Sequence, residues 1–294
     1  MRIRLGTRGS RLALAQSELI ARRLRAAGHV VELITVITEG DVRPVDMSPG
    51  EGVFVTALEQ ALGSGTIDVA VHSAKDIPLD ERPELLIAAY PERADARDAL
   101  VTIGGTDSLA TLHAGATVGT DSPRRAGFLR AARPDLRVVP LHGNVDTRLS
   151  RLDARDVDAL VIAAAGIDRL GRADRIDERL DPQVVAPAPG QGALAVQARR
   201  DDSTLVEVLS SIDEPDVRFA VELEREVLKA TGGTCRAPVG ALAHARGEEF
   251  ALLVAGVNSD GSDRMIEHVR GRRSEAVAMA ADAGRRLLAA VALR

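Results

Sequence analysis

Short apolar runs alternate with amphipathic segments through roughly the first 200 residues of the chain. The runs have the length and the β-branched content of strands, and the segments between them repeat apolar side chains at helical spacing. This alternation is typical of an α/β fold with a largely parallel sheet covered by helices on both faces. The predicted strands are Arg2–Leu5, Val30–Thr38, Ile67–Val71, Leu85–Ala89, Leu100–Ile103, Thr117–Gly119, Arg137–Leu141 and Ala159–Ile162.

The helices between these strands have recognisable ends. The segment Ser10–Ala27 places Leu12, Leu19 and Leu24 on one stripe and stops before Gly28, a residue that tolerates the left-handed conformation found at helix ends. The segment Phe54–Leu62 stops in the same way before Gly63.

The order of elements changes in the last third of the chain. Val184–Gly192 is rich in Pro and Gly, which predicts a crossover or hinge. Beyond Asp213 the pattern predicts a small α+β domain of about 80 residues. Its elements are a helix over Val217–Lys229, strands over Val239–Ala245, Phe250–Asn258 and Met265–Val269, and a helix over Glu275–Ala290.

Composition limits the classes of function. The chain has 294 residues, of which 45% are apolar and 28% charged, as in ordinary globular proteins. A net charge of −5, with aromatics at only 2%, argues against nucleic acid and acidic membrane surfaces as partners. We expect a cytoplasmic protein, because we find neither a secretory leader nor an apolar run of about 18 residues. One cysteine and no metal-ligand spacing among the histidines predict no metal site.

Two predicted strand-to-helix junctions resemble each other. Ser10 follows Gly-Thr-Arg-Gly, and Ser122 follows Gly-Thr-Asp; both suit the N-cap position, and Pro123 suits the first helical turn. A helix N-terminus with basic neighbours favours anion binding. The similarity suggests two related α/β domains, although chance recurrence of so short a pattern is a serious alternative.

Polar residues follow the apolar strand that ends near Val71. The run His72-Ser73-Ala74-Lys75-Asp76 comes where α/β proteins place their sites, at a strand end. Lys75 and Asp76 in a solvated surface turn are an equally weighted alternative.

Basic residues recur near predicted strand ends. Concentrated guanidinium groups would form a pocket for a polycarboxylate, since Arg binds a carboxylate through two parallel hydrogen bonds. For any one of these residues alone, an exposed charge on a helix is the better interpretation. The set is Arg8, Arg11, Lys75, Arg124, Arg125, Arg148 and Arg169, and His142 is a further basic residue near a strand end.

The cysteine lies in a loop between a helix and a strand. Most lone cysteines are small buried apolar residues. Cys235, however, follows two glycines and a threonine and precedes Arg236, which makes an accessible thiol with thiolate character at least as plausible. From the residues alone it is either a nucleophile or an attachment point.

Together, eight segments resemble the porphobilinogen deaminase family, also called hydroxymethylbilane synthases. The resemblance covers nearly the whole chain, and the order and spacing of the segments make it specific. The segments are residues 7–16, 52–62, 68–78, 118–125, 143–152, 163–171, 188–196 and 232–240.

The resemblance implies a fold of two periplasmic-binding-protein-like (type II) α/β domains with a cleft between them, and a third α+β domain that presents the cysteine. The implied domains are 1–91 plus 193–210, 98–186 and 215–294. The resemblance also implies a transferase and a monomer.

The activity implied by the resemblance is the stepwise joining of four porphobilinogen molecules, each losing ammonia, on a dipyrromethane cofactor bound to Cys235. Hydrolysis then releases hydroxymethylbilane for tetrapyrrole synthesis. Asp76 matches the catalytic aspartate, which stabilises positive charge on pyrrole nitrogens and assists proton transfer. The implied cofactor-binding residues are Cys235, Ser73, Lys75, Thr120, Ser122, Arg124, Arg125, Asn144 and Arg148. The implied substrate-binding residues are Arg8, Ser10, Phe54, His142, Arg148 and Arg169.

Five positions depart from the family pattern. Glu51 replaces a Lys, Asp121 a Ser, Pro123 a Leu, His142 an Arg and Thr234 a Gly. Two of the changes remove positive charge from a site built for anions, and His142 restores it only when protonated. A divergent paralogue or binding module that holds anionic pyrroles or other carboxylates without catalysis is therefore the alternative hypothesis.

Overall fold

The structure is a computed structural model that describes residues 1–37, 53–80, 82–105, 107–234 and 236–293, without the side chains of Val53 and Phe54. Glu51 and Cys235 lie outside the described residues. The chain divides into two compact units, residues 1–94 with 193–218 and residues 95–192 with 219–294.

The first unit contains a five-stranded mixed sheet in the order β2-β1-β3-β10-β4. β1 is parallel to β2 and to β3, whereas β10 runs antiparallel to both of its neighbours. The strands are β1 (Arg2–Thr7), β2 (Val30–Thr35), β3 (Val69–Ser73), β4 (Leu85–Ala89) and β10 (Leu194–Arg199). The helices are α1 (Arg11–Ala26), α2 (Val53–Gly63) and α6 (Ser203–Ser210), and a 3₁₀ turn covers Ala74–Asp76.

The core of the first unit explains why these segments form sheet and helix. Apolar side chains of β1, β3 and β10 pack against Ile20 and Leu24 of α1 on one face, and Leu58 and Leu62 of α2 cover the other. Gly6 of β1 allows this second contact, because a Cβ atom there would lie 2.3 Å from the Ile67 side chain.

The second unit contains a five-stranded sheet with the same spatial pattern of strand directions, in the order β7-β6-β8-β5-β9. Here too the second strand in this order, β6, is parallel to β7 and to β8, whereas β5 runs antiparallel to both of its neighbours. The strands are β5 (Asp98–Thr102), β6 (Thr117–Gly119), β7 (Arg137–Val139), β8 (Ala159–Ala163) and β9 (Glu178–Arg179). The helices are α3 (Pro123–Ala132), α4 (Val145–Asp153) and α5 (Ala164–Arg169), and a 3₁₀ turn covers Ala173–Arg175.

The same unit holds a three-stranded antiparallel sheet, β11-β12-β13. One face contributes Leu253 and Val257 to a core shared with Phe128 of α3. Gly127 permits this contact, because a Cβ atom there would lie 2.7 Å from Val257. The elements are β11 (Val239–Arg246), β12 (Glu249–Val257), β13 (Arg264–Arg272), α7 (Pro215–Ala230) and α8 (Ala276–Ala290), and a 3₁₀ turn covers Arg273–Glu275. The predicted fold class, α/β with a third small α+β part, is confirmed.

Candidate functional site

In the first unit, predicted site residues follow two neighbouring strands. Arg8 and Ser10 follow β1, and Lys75 and Asp76 form the turn after β3. Because β1 and β3 are parallel and hydrogen-bonded, these residues lie at the same edge of the sheet. Ser10 is the N-cap of α1, as predicted, and accepts from the Ala13 backbone N–H at 3.3 Å.

Two buried residues support this edge. Gln16 of α1 donates to the Ser73 hydroxyl at 3.0 Å and so connects α1 to the end of β3. His72 contacts Gln197 of β10 at 3.1 Å. The pKa of His72 is lowered to about 4, chiefly by burial; the Gln197 hydrogen bond opposes this change, and the nearby charge of Arg8 adds to it. His72 is therefore neutral at pH 7, which leaves the cations of the edge to Arg8 and Lys75.

In the second unit, predicted site residues follow three strands of its sheet. Thr120 and Ser122 follow β6, His142 and Asn144 follow β7, and Arg169 lies in α5 after β8. Since β6 is parallel to both β7 and β8, the three groups share one sheet edge.

Three N-terminal features position the basic residues of this edge. Ser122 caps α3 by accepting from the Arg125 backbone N–H, and Pro123 occupies the first turn, as predicted. Asn144 caps α4 by accepting from the Thr147 backbone N–H at 2.8 Å.

Arg124 and Arg125 are buried at the start of α3. Both pair with Asp98, at 2.8 Å and 2.9 Å. Arg124 also donates to the carbonyl of Ala186, and Arg125 to the side chain of Gln191 at 3.3 Å. Burial lowers the pKa of Arg124, and the charge of Asp98 opposes that change.

Arg148 and Arg169 are partly buried. Arg148 donates to the Gly143 carbonyl at 2.8 Å and Arg169 to the Gly192 carbonyl at 2.6 Å. Burial lowers the pKa of each to about 10. For Arg148 the charge of Arg125 adds to this effect and Asp121 opposes it. Both guanidinium groups are therefore still cationic at pH 7.

Two departures from the family pattern are in contact with each other. Nδ1 of His142 lies 2.8 Å from Oδ1 of Asp121. The carboxylate that Asp121 introduces thus lies against the histidine that replaces an arginine. Nothing in the single sequence links these positions, which lie after different strands.

The residues around the cysteine and Phe54 are described only in part. Thr234, next to the cysteine, is exposed, and its hydroxyl accepts from the Arg236 backbone N–H at 3.3 Å. The Phe54 side chain and Cys235 are not described. Sequence reasoning missed Asp98 and Gln191. The available signal for Asp98 was a carboxylate at the start of an otherwise apolar strand.

The donor set fits a polycarboxylate ligand. Cationic guanidinium groups, hydroxyl groups and capped helix starts converge on the second unit's sheet edge, and a guanidinium group binds a carboxylate with two hydrogen bonds. A dipyrromethane carrying acetate and propionate groups has this chemistry. Among the residues that the structure describes, no helix is both long enough and apolar enough to cross a bilayer.

Comparisons with known proteins cover most of the chain. Residues 3–207 match the family model "Porphobilinogen deaminase, dipyromethane cofactor binding domain", and residues 218–291 match "Porphobilinogen deaminase, C-terminal domain". A porphobilinogen deaminase of Acidothermus cellulolyticus is 48% identical over 98% of this chain and 87% of its own length. One from Roseiflexus is 45% identical over 94% of this chain and 92% of its own length.

Among solved structures, a periplasmic substrate-binding protein of an ABC transporter from Coxiella burnetii is similar, with a TM-score of 0.43 and 17% identity. The match covers 74% of this chain and 94% of that one. The two family models and the curated relatives establish that the chain belongs to the porphobilinogen deaminase family, transferases of tetrapyrrole biosynthesis that use a dipyrromethane cofactor.

Proposed function

We propose that this chain joins four porphobilinogen molecules stepwise onto a dipyrromethane primer attached to Cys235, with loss of ammonia at each addition. It then hydrolyses the product to hydroxymethylbilane. The observation that carries the proposal is the match of both family models, over residues 3–207 and 218–291, which contain every motif named above.

The charges of the second unit support the binding of this anionic chain. Each pyrrole brings an acetate and a propionate, so the ligand gains carboxylates as it grows. Arg148 and Arg169 keep their charge at neutral pH. The proposed cofactor-binding residues are Cys235, Ser73, Lys75, Thr120, Ser122, Arg124, Arg125, Asn144 and Arg148. The proposed substrate-binding residues are Arg8, Ser10, Phe54, His142, Arg148 and Arg169.

Asp76 is the proposed catalytic residue. Its carboxylate, in the turn after β3, would stabilise positive charge on pyrrole nitrogens and move protons during each addition. The bound cofactor supplies the growing end of the chain.

The division of the chain also belongs to the proposal. We infer three domains, 1–91 plus 193–210, 98–186 and 215–294, in a cytoplasmic monomer. The strand β10, which completes the first sheet from residues 194–199, supports the split first domain. Size-exclusion chromatography with light scattering tests the monomer.

Intact mass spectrometry tests the proposed function. We expect the purified protein to carry a mass increment equal to dipyrromethane, and the Cys235→Ala variant to lack both the increment and the activity. A Thr234→Ala variant, altered beside the cysteine, serves as the control and keeps the increment. A native protein of unmodified mass would favour the non-catalytic binding module.

A further inference from the structure

Asp98 begins β5 and has no exposed surface. One carboxylate oxygen accepts from Nε of Arg125 at 2.9 Å, and the other lies 2.8 Å from Nη2 of Arg124. A single buried carboxylate thus bridges two consecutive arginines, both of which are proposed to bind the cofactor.

Gln191 completes this arrangement from the Pro- and Gly-rich segment. Its amide nitrogen donates to Asp98 at 2.9 Å and to the Ala96 carbonyl at 2.8 Å. Its amide oxygen accepts from Arg125 at 3.3 Å. The amide thus restrains both the carboxylate and one of the guanidinium groups that the carboxylate holds.

Charge and direction both matter in this cluster. The guanidinium groups of Arg124 and Arg125 are both buried and repel each other. Burying these charges destabilises the fold unless each is paired with an opposite charge. Asp98 offsets one of the two positive charges, so the three groups retain one net positive charge. One carboxylate oxygen accepts a hydrogen bond from Arg125, and the other pairs with Arg124, which donates to the Ala186 carbonyl; these contacts restrain where each planar guanidinium group points.

We propose that Asp98 and Gln191 are positioning residues for the reaction, which hold Arg124 and Arg125 side by side so that the pair meets the carboxylates of dipyrromethane. The proposal rests on the proposed function. Asp98 acts through the arginines and need not touch the cofactor itself.

The chain offers a matched control in the same unit. Asp95 also bridges two arginines, Arg97 at 2.7 Å and Arg179 at 3.1 Å. Neither arginine is among the proposed site residues. A carboxylate that only stabilises the fold should therefore behave like Asp95.

The test combines Asp98→Asn and Asp95→Asn with two measurements on the full-length protein. Intact mass gives the fraction of protein that carries dipyrromethane. Thermal melting, repeated in the Cys235→Ala background, gives the difference in Tm between loaded and cofactor-free protein, which reports stabilisation by the bound cofactor. We expect Asp98→Asn to lower the ratio of loaded to unloaded protein about tenfold, as for other supporting residues behind a binding shell, and to shrink the Tm difference. Asp95→Asn should leave both quantities as in the unmodified protein.

Two further variants keep the test decisive. Asp98→Glu keeps the charge but moves it by one methylene, so it should fold yet load less cofactor. If Asp98→Asn does not fold, Gln191→Met removes the restraining amide without a change in charge, and it should lower loading in the same direction.

A Tm difference that Asp98→Asn leaves unchanged, with normal loading, would identify an ordinary structural ion pair and overturn the proposal. A larger difference would overturn it as well, because the cofactor would then merely replace a missing negative charge. Absence of the dipyrromethane increment from the unmodified protein would instead contradict the proposed function.

Discussion

At the scale of single residues, the two units treat buried ionisable groups in opposite ways. His72 in the first unit is kept neutral by burial. Arg124 and Arg125 in the second unit are buried as cations and share Asp98. The second unit thus holds two buried arginines after its strand β6, whereas the first unit holds a buried neutral histidine at the end of β3.

Replacement of Asp76 tests the catalytic assignment. We expect Asp76→Asn to lower turnover at least about 100-fold, since it removes the carboxylate that moves protons. The free energy of unfolding should change by less than about 0.5 kcal/mol, because Asp76 is only partly buried. Steady-state rates and chemical denaturation measure both quantities. Asp80→Asn, at an exposed position just beyond, is the control, and turnover near normal in Asp76→Asn would refute the role.

Side-chain contacts within the site were the least predictable feature from the sequence. A lone Asp before an apolar run gives no sign that Asp98 is buried between two arginines from a helix that starts 25 residues later. The contact between Asp121 and His142 is equally hidden, since it depends on the pairing of β6 with β7. The segments that carry the resemblance, by contrast, are local, and they identified the family.

At the scale of elements, the N-caps connect local folding with the site. Ser122 and Asn144 each lie in the loop between a strand and the following helix, and each accepts from a backbone N–H group at the start of that helix. Both residues also lie at the sheet edge that is proposed to bind anions. Gly143, with φ of 115°, allows the chain to turn into the cap of α4; a Cβ atom there would lie 2.8 Å from Thr147.

Substitutions at Asn144 separate these two roles. Asn144→Ala removes the cap and should lower the free energy of unfolding by about 1 kcal/mol. Asn144→Asp keeps an acceptor, so stability should stay within about 0.5 kcal/mol, but it adds a negative charge where carboxylates are proposed to bind. We therefore expect slower turnover in Asn144→Asp at unchanged stability. Equal turnover in Asn144→Asp and the unmodified protein would remove Asn144 from the proposed site.

The positions of most helices and strands were predictable, because each follows from the local spacing of apolar residues. Leu85–Ala89 and Thr117–Gly119 agree with the prediction, and the other predicted strands overlap the observed ones with shifted ends. β10 was not predicted, because it pairs with β3, which precedes it by more than 100 residues. β9 is a two-residue strand of charged residues, which no hydrophobic pattern can reveal.

At the scale of the whole molecule, each unit has its own core and its own response to acid. In the first unit the pKa of Asp68 lies below its ordinary value: burial by itself raises this pKa, but hydrogen bonds from Arg4 and the charge of Arg4 outweigh the burial. In the second, hydrogen bonds from Arg97 lower the pKa of Asp95 in the same way. Stability from these carboxylates is present above their unfolded pKa and is lost as the pH falls through their lower folded values.

His72 acts in a separate pH window. Its pKa is about 4 in the folded chain, against an ordinary value of 6.5 that applies to the unfolded chain. Between pH 6.5 and pH 4 the unfolded state therefore binds a proton that the folded state does not bind. Stability therefore falls as the pH drops from 6.5 to 4, on the order of 3 kcal/mol in total. Denaturation curves at several pH values measure this slope.

His72→Gln should flatten the slope over that window. His113→Gln, which changes an exposed histidine of the other unit, is the control. An identical acid slope in His72→Gln would show that His72 does not cause it.

The position of β10 in the first sheet has a consequence for folding during synthesis on the ribosome. β4 joins that sheet through β10, which lies roughly 100 residues further along the chain. A ribosome adding about 5–20 residues per second needs roughly 5–20 s to cover that stretch. Throughout that interval the edge of β3 that later pairs with β10 is unpaired in the nascent chain. An unpaired strand edge is prone to aggregation, so we expect chaperones to matter most during this interval.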